Sequence, residues 1–222
     1  MPTHIASVRT TTTSALATNK LIRNTYLLLS MTLLFSALTA TLSVMMRMPP
    51  MTYLVSVGLS FLLMWLVLPR TANSANGIGV VFAITGLLGF ALGPLLSMYL
   101  KLPHGPQLVA TALGGTGAIF LGLSAYALTT RRDFNFMGGF LFVGMLVVVG
   151  ASLLNIFLAI PAVSLAMSAA VVMLMSGFIL FDTSRMVHGG VDNYILATVS
   201  LYMNIFNLFI SLLQLLGIMR DD

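Results

Sequence analysis

The sequence contains no cysteine, which excludes disulfide bonds, thiolate nucleophiles and cysteine-based metal sites. Charge is also scarce, because Asp, Glu, Lys and Arg make up 7% of the 222 residues, against about a quarter in soluble domains. Hydrophobic residues make up 59% and the mean hydropathy is +1.04. This composition excludes an ordinary soluble globule and predicts an all-α, polytopic membrane protein that sits in a lipid bilayer.

Basic residues outnumber acidic ones by 10 to 5, which raises the question of nucleic-acid binding. They lie singly at the ends of apolar runs and not together on one face, so nucleic acid is excluded as a partner. Such a distribution is typical of membrane topology signals.

Seven apolar segments are separated by proline, glycine and charged residues, and each is long enough to cross a bilayer. The break at Pro161 carries no charge, but it is required because one tilted span cannot hold the whole run between Phe134 and Phe181. The predicted spans cover residues 25–46, 51–68, 78–100, 107–129, 136–158, 162–184 and 194–217.

Lysine and arginine are distributed unequally between the two sides that these spans define. One side holds seven of them: Arg9, Lys20, Arg23, Arg70, Arg131, Arg132 and Arg185. The other side holds three: Arg47, Lys101 and Arg220. The positive-inside rule therefore predicts a cytoplasmic N-terminus and an external C-terminus.

The termini flank a membrane domain predicted over residues 25–218. Residues 1–24 are polar, contain no acid and are expected to form a disordered cytoplasmic tail. A mitochondrial presequence is the alternative for this basic, hydroxyl-rich stretch. Residues 219–222 form a short external C-terminus.

Small residues recur at helical spacing in two spans. The fourth span has Gly114, Ala118 and Gly122, and the third has Gly89 and Gly93. Such spacing lets helix backbones approach closely, so we expect packing seams inside the bundle. A homo-oligomer, built on a homodimer face, is the functional alternative.

The last span carries a polar stripe at alternating spacings of three and four residues, which places its members on one helix face. The stripe consists of Ala197, Ser200, Asn204, Asn207, Ser211 and Gln214. Amides are costly toward lipid, so this face must meet protein or water, and the seventh helix is predicted to be central. Interhelical hydrogen bonding and a solvated pathway are both compatible with the stripe.

Asp182 is the one acidic residue inside a predicted span. It lies about 30 Å along the sixth span, close to the cytoplasmic interface. Arg185 follows it by one turn, and Arg70 ends a span on the same side. The group is either an interfacial ion pair or a gate and proton-responsive latch.

Enzymatic interpretations have little support in the sequence. The three histidines and the acids show no spacing typical of a metal site or a catalytic pair. We therefore expect a protein that is not an enzyme, without catalytic residues, bound metal or cofactor.

Several blocks of this sequence resemble the Bax inhibitor-1 family, and in particular its bacterial YccA-like subgroup. The resemblance rests on residues 177–190 (GFILFDTSRMVHGG), 193–209 (NYILATVSLYMNIFNLF), 20–30 (KLIRNTYLLLS) and 124–131 (SAYALTTR). It extends from Lys20 to the C-terminus. Family membership implies seven helices with the last one surrounded by six, in a bacterial inner membrane.

The resemblance implies two candidate functions. The subgroup is associated with the ATP-dependent membrane protease FtsH, whose attack on other membrane proteins it restrains. Other relatives resemble pH-sensitive calcium leak channels, in which two aspartates share a proton and an arginine competes for one of them. Asp182 matches the first aspartate, Asn204 stands at the second, and Arg70 lies near the arginine.

Asparagine at position 204 favours the first of these functions. A pair of close carboxylates titrates as a coupled unit, and Asn204 cannot ionise, so that coupling is absent here. The sequence thus predicts a modulator of FtsH, with a calcium or proton leak channel as the alternative.

Overall fold

The computed structural model describes residues 3–218, with side chains from residue 16 onward. This part of the chain is all-helical and contains seven helices long and apolar enough to cross a membrane. In chain order they are α1 (Thr3–Met45), α2 (Met51–Thr71), α3 (Asn76–Tyr99), α4 (Gly105–Thr130), α5 (Met137–Leu158), α6 (Pro161–Val187) and α7 (Tyr194–Ile218).

Proline and left-handed residues delimit these helices. Arg47, His104, Arg131 and Ala159 adopt positive φ at or next to helix ends. Pro161 begins α6 two residues after Ala159, so the break that carries no charge is confirmed. Within α2 a π-helical turn covers Leu63–Val67, just before a proline that has no N–H to continue the α-helical ladder.

The N-terminal part of α1 differs from the expected tail. Residues 16–24 continue the helix, and Leu21 and Ile22 pack against the hydrophobic core. The physical reason is that these two side chains bury apolar surface, which offsets the entropy cost of ordering the segment. Residues 1–2 of the predicted tail and the predicted external C-terminus at 219–222 lie outside the described residues.

Helix α7 is the centre of the bundle, as the polar stripe predicted. In its most apolar stretch 67% of the residues are buried, against 17% for the corresponding stretches of α2 and α5. It contacts four helices, α1, α3, α4 and α6, and not the six that the family resemblance implied. In the part of the chain that the structure describes, α2 packs on α3 and α5 packs on α6, so both are peripheral.

The two expected small-residue seams have different surroundings. A Cβ at Gly89 or Gly93 would collide with Ser36 or Ser43 of α1, so the α3 seam is an internal contact. On α4, Gly114 and Gly122 are exposed, and nothing lies within 4 Å of a Cβ built on either. The expected seam within the bundle is therefore wrong for α4, because no described helix reaches that face.

Candidate functional site

Asp182 lies near the end of α6 and receives two hydrogen bonds from α7. The Ser200 hydroxyl donates to Asp182 Oδ2 over 2.6 Å, and Asn204 Nδ2 donates to the same oxygen over 2.8 Å. Ser200 and Asn204 are four residues apart, so both project from one side of α7 toward the carboxylate. Two positions of the predicted stripe therefore join α6 to α7 through the one acid that these spans contain.

The two arginines proposed as partners of Asp182 have other neighbours. Arg185 donates from Nη2 to the Gly190 carbonyl over 3.0 Å, and its guanidinium lies 5.5 Å from the Phe181 ring centroid. Arg70 is exposed at the end of α2, which contacts neither α6 nor α7. Among the described residues neither arginine forms an ion pair with Asp182, so the amide and the hydroxyl are its direct partners.

A cavity of about 410 Å³ opens beside this carboxylate. Asp182, Arg185 and Ser200 line it together with the loop between α6 and α7, including Asp192. Asp182 is half-buried and Ser200 is exposed, so the hydrogen-bonded group faces the cavity. The described chain has no cluster of three His, Cys, Asp or Glu side chains that could hold a metal ion.

Asn193 anchors the start of α7 and was missed in the sequence. Its Oδ1 accepts the backbone N–H of Ile195 over 2.8 Å, while its Nδ2 donates to the Ala72 carbonyl over 2.8 Å. The side chain thus caps α7 and ties it to the loop that follows α2. An asparagine directly before an apolar run is a cap signal, and could have been found.

Ser184 and His188 fasten the loop between α4 and α5 to the end of α6. The backbone N–H of Phe134 donates to Ser184 Oγ over 3.0 Å. The two ring nitrogens of His188 lie 2.9 Å from the Ser184 carbonyl and 3.1 Å from the Arg131 carbonyl. No spacing in the sequence pointed to this contact.

The other half of the polar stripe lies toward the opposite end of α7. The Ser168 hydroxyl on α6 donates a hydrogen bond to Gln214 Oε1 over 3.0 Å. Asn207 Nδ2 donates instead to the Met203 carbonyl of its own helix over 2.8 Å. Ser211 and Gln214 line a second cavity of about 410 Å³. The stripe therefore includes interhelical hydrogen bonds at both ends of the α6–α7 contact, with a cavity beside each.

Comparison with known proteins identifies the family. A sequence profile described as "Inhibitor of apoptosis-promoting Bax1" matches residues 18–221. The chain belongs to the Bax inhibitor-1 family. Its relatives include "Modulator of FtsH protease YccA" of Escherichia coli K12, which is 50% identical over 211 residues, or 95% of each chain. An "Uncharacterized membrane protein" of Vibrio cholerae is 48% identical over 207 residues, or 93% of each chain.

In this member of the Bax inhibitor-1 family, the contact between α6 and α7 contains one carboxylate and one amide. Asn204 Nδ2 donates to Asp182, whereas an acid at position 204 would have to share a proton with it or repel it. Asp182 Oδ2 therefore accepts hydrogen bonds from the Ser200 hydroxyl and the Asn204 amide, and no second carboxyl is present to share a proton with it. Chemically, this contact, called the Asp182 latch, is a set of hydrogen bonds between two helices.

Proposed function

We propose that this protein is an integral inner-membrane modulator of the FtsH protease, and that it restrains the degradation of membrane substrates. The observation that carries the proposal is the 50% identity, over 95% of both chains, to a protein named as a modulator of that protease. A second relative, from another strain of E. coli, is named "Inner membrane protein YccA" and shows the same identity. The composition, with seven apolar helices, supports a membrane-embedded mode of action.

The length of α1 supports a contact outside the bilayer. The helix has 43 residues, or about 64 Å at 1.5 Å per residue, roughly twice the hydrocarbon thickness of a bilayer. The apolar part that ends at Met45 crosses the membrane, so the part before residue 25 extends beyond it. We propose that this extension is what the protease grips.

Reconstitution tests the proposed function directly. Purified FtsH is incorporated into liposomes with a membrane substrate, ATP and increasing amounts of this protein. Substrate half-life should lengthen as the ratio of this protein to the protease rises. A seven-helix membrane protein of unrelated sequence, added at the same ratios, controls for crowding in the bilayer. An unchanged half-life at every ratio would overturn the proposal.

Deleting residues 2–15 tests whether the protease engages the N-terminus. The deletion spares Leu21 and Ile22, which pack on the core, so the bundle is expected to stay folded. In cells that contain the protease, the truncated chain should have a longer lifetime than the parent. Equal lifetimes would contradict the role of the N-terminal segment but not the modulator function, which the liposome assay measures separately.

The orientation in the membrane belongs to the same proposal. The seven-to-three bias of basic residues favours a cytoplasmic N-terminus, which places the α1 extension on the side of an ATP-dependent protease. A reporter fused after Asp222 should show external activity. Cytoplasmic activity at that point would mean that the number of crossings is even.

A leak channel is the second candidate, favoured by the cavity beside Asp182. If the Asp182 latch closes a pathway, Asp182→Asn removes the negative charge that draws Ser200 and Asn204 onto α6, and calcium or proton flux through liposomes should rise. Asn204→Asp supplies a second acid and should make flux depend on pH. Negligible flux in the parent and both variants, from mildly acidic to mildly basic pH, would eliminate this candidate.

A further inference from the structure

A narrow groove separates α1 from α4. Within the described chain the backbones of these two helices stay apart and both pack on α7, while the rings of Tyr26 on α1 and Phe120 on α4 meet with their centroids 6.0 Å apart. The space between them is a cavity of about 460 Å³, with Leu33 and Ala37 of α1 on one wall and Leu113 and Gly117 of α4 on the other. Ala37 and Leu113 are exposed, so the groove opens sideways toward the hydrocarbon of the bilayer.

The floor of the groove is closed and its few polar groups are satisfied. Tyr202 of α7 donates its hydroxyl to the Thr85 carbonyl over 3.2 Å, and Ser36 lies 2.6 Å from the same hydroxyl. Thr116 donates to the Ala112 carbonyl of its own helix over 2.7 Å. The groove therefore offers no free hydrogen-bonding group to an occupant, and its chemistry selects an apolar one.

The groove is long and narrow enough for a single hydrocarbon chain. On α4 its lining extends from Val109 to Phe120, about 16 Å at 1.5 Å per residue. A single extended hydrocarbon chain fits a groove of this length with a volume of about 460 Å³.

Two basic residues lie on the side of the bundle where α1 ends. Arg47 follows α1, and Lys101 lies in the loop between α3 and α4; both are exposed. The described acids, Asp133, Asp182 and Asp192, lie at the opposite end of the bundle. A molecule with an apolar chain and an anionic head would thus place its chain against the apolar lining and its head toward these two basic residues.

We propose that this groove binds one acyl chain of an anionic glycerophospholipid, and that Arg47 and Lys101 hold its headgroup. The site is separate from the Asp182 latch and does not depend on the proposed action on a protease. A bound lipid would fill the space between α1 and α4 that the protein itself leaves open.

Gly117 provides the sharpest variant, because nothing lies within 4 Å of a Cβ built there. A side chain at this position therefore starts in open space, and leucine would occupy part of the groove. Gly122 on the same helix is equally free of neighbours and lies outside the groove, so Gly122→Leu is the matched control. Thermal unfolding of both variants in detergent establishes that each is folded.

The experiment is native mass spectrometry of the full, delipidated chain with added phosphatidylglycerol or phosphatidylcholine of the same acyl composition. The parent should retain one phosphatidylglycerol, about tenfold more tightly than phosphatidylcholine. Gly117→Leu should weaken phosphatidylglycerol binding by about tenfold, and Gly122→Leu should leave it unchanged. Arg47→Gln combined with Lys101→Gln should reduce phosphatidylglycerol binding to the level of phosphatidylcholine.

Three outcomes would overturn the proposal. One is equal retention of the two lipids by the parent, and another is equal retention of phosphatidylglycerol by the parent and Gly117→Leu. The third is the appearance of a protein dimer that Gly117→Leu abolishes, which would assign the groove to a second copy of the chain.

Discussion

The small-residue faces of α3 and α4 have similar sequences and opposite surroundings. On α3, Gly89 and Gly93 lie against α1 so closely that a Cβ at either would meet Ser36 or Ser43. On α4, Gly114 and Gly122 are exposed and have no neighbour within 4 Å of a built Cβ. One face is thus an internal seam, and the other is an open surface of the bundle.

The difference shows that the spacing of glycines predicts that a helix can pack closely against another helix. It does not predict which helix, if any, lies there. Between helices in hydrocarbon there is little hydrophobic driving force, so contact requires a complementary surface on the neighbour. Helix α1 supplies one, because Ser36 and Ser43 are small and lie seven residues apart on the face that meets α3. No described helix presents such a surface to the exposed face of α4.

Gly89→Ala should have the largest effect, because it breaks the closed seam. Its Cβ would collide with the Ser36 carbonyl, so α1 and α3 would have to move apart. We expect the free energy of unfolding to fall by about 2–3 kcal/mol. Denaturant-induced unfolding in detergent measures this. Gly79→Ala, on the same helix with nothing within 4 Å, is the control. Equal stability of the two variants would contradict the close contact.

Asp182→Ala should have the next largest effect, and compares a polar contact with the packing seam. The change leaves Asn204 Nδ2 and the Ser200 hydroxyl without their acceptor. Side-chain hydrogen bonds between membrane helices contribute about 0.6 kcal/mol on average and at most about 1.7, so a loss of about 1–2 kcal/mol is expected. Ser168→Ala at the other end removes one such bond to Gln214 and should cost less, in the same unfolding assay. If Ser168→Ala lowers the free energy of unfolding more than Asp182→Ala does, the prediction is wrong.

Leucine at both Gly114 and Gly122 tests whether a second copy covers the open face of α4. If the homodimer that this spacing offered as the alternative forms, it should dissociate in the double variant, because leucine side chains prevent close backbone approach. Cross-linking in liposomes should therefore show a severalfold lower dimer fraction, with unchanged unfolding of the monomer. If the parent is monomeric at every protein-to-lipid ratio, the homodimer prediction fails.

Gly122→Ala should have the smallest effect, and of opposite sign to Gly89→Ala. No neighbour meets the added methyl group, and alanine favours a helix over glycine by up to about 1 kcal/mol. The free energy of unfolding should rise by about 0.5–1 kcal/mol. A loss of stability would mean that the α4 face is covered in the folded protein.

Much of the helical architecture could be predicted from the chain. All seven spans were located, including the one that begins at Pro161, since apolar length and proline act locally. The start of α1 was placed too late, because Leu21 and Ile22 are ordered by packing on distant residues. The polar stripe identified α7 as central, but the periodicity of one helix could not say that it has four neighbours.

The candidate site was predicted in part. Asp182 stood out as an acid in an apolar span, and the stripe contained both of its donors, Ser200 and Asn204. Arg70 does not lie near Asp182, because its helix packs on α3 alone. The bond of Asn193 to the Ala72 carbonyl and the contact of His188 with the Arg131 carbonyl join segments far apart in sequence, which spacing within one segment does not reveal.

The sequence by itself determined that this chain has seven segments long and apolar enough to cross a membrane and which residues are too polar to face lipid, because both follow from local composition and periodicity. The tertiary structure alone decided which small-residue face is closed, which groups Asp182 meets and that the backbones of α1 and α4 stay apart. The physical reason is that contacts between helices in hydrocarbon depend on the match between two surfaces, and a single helix carries half of that information.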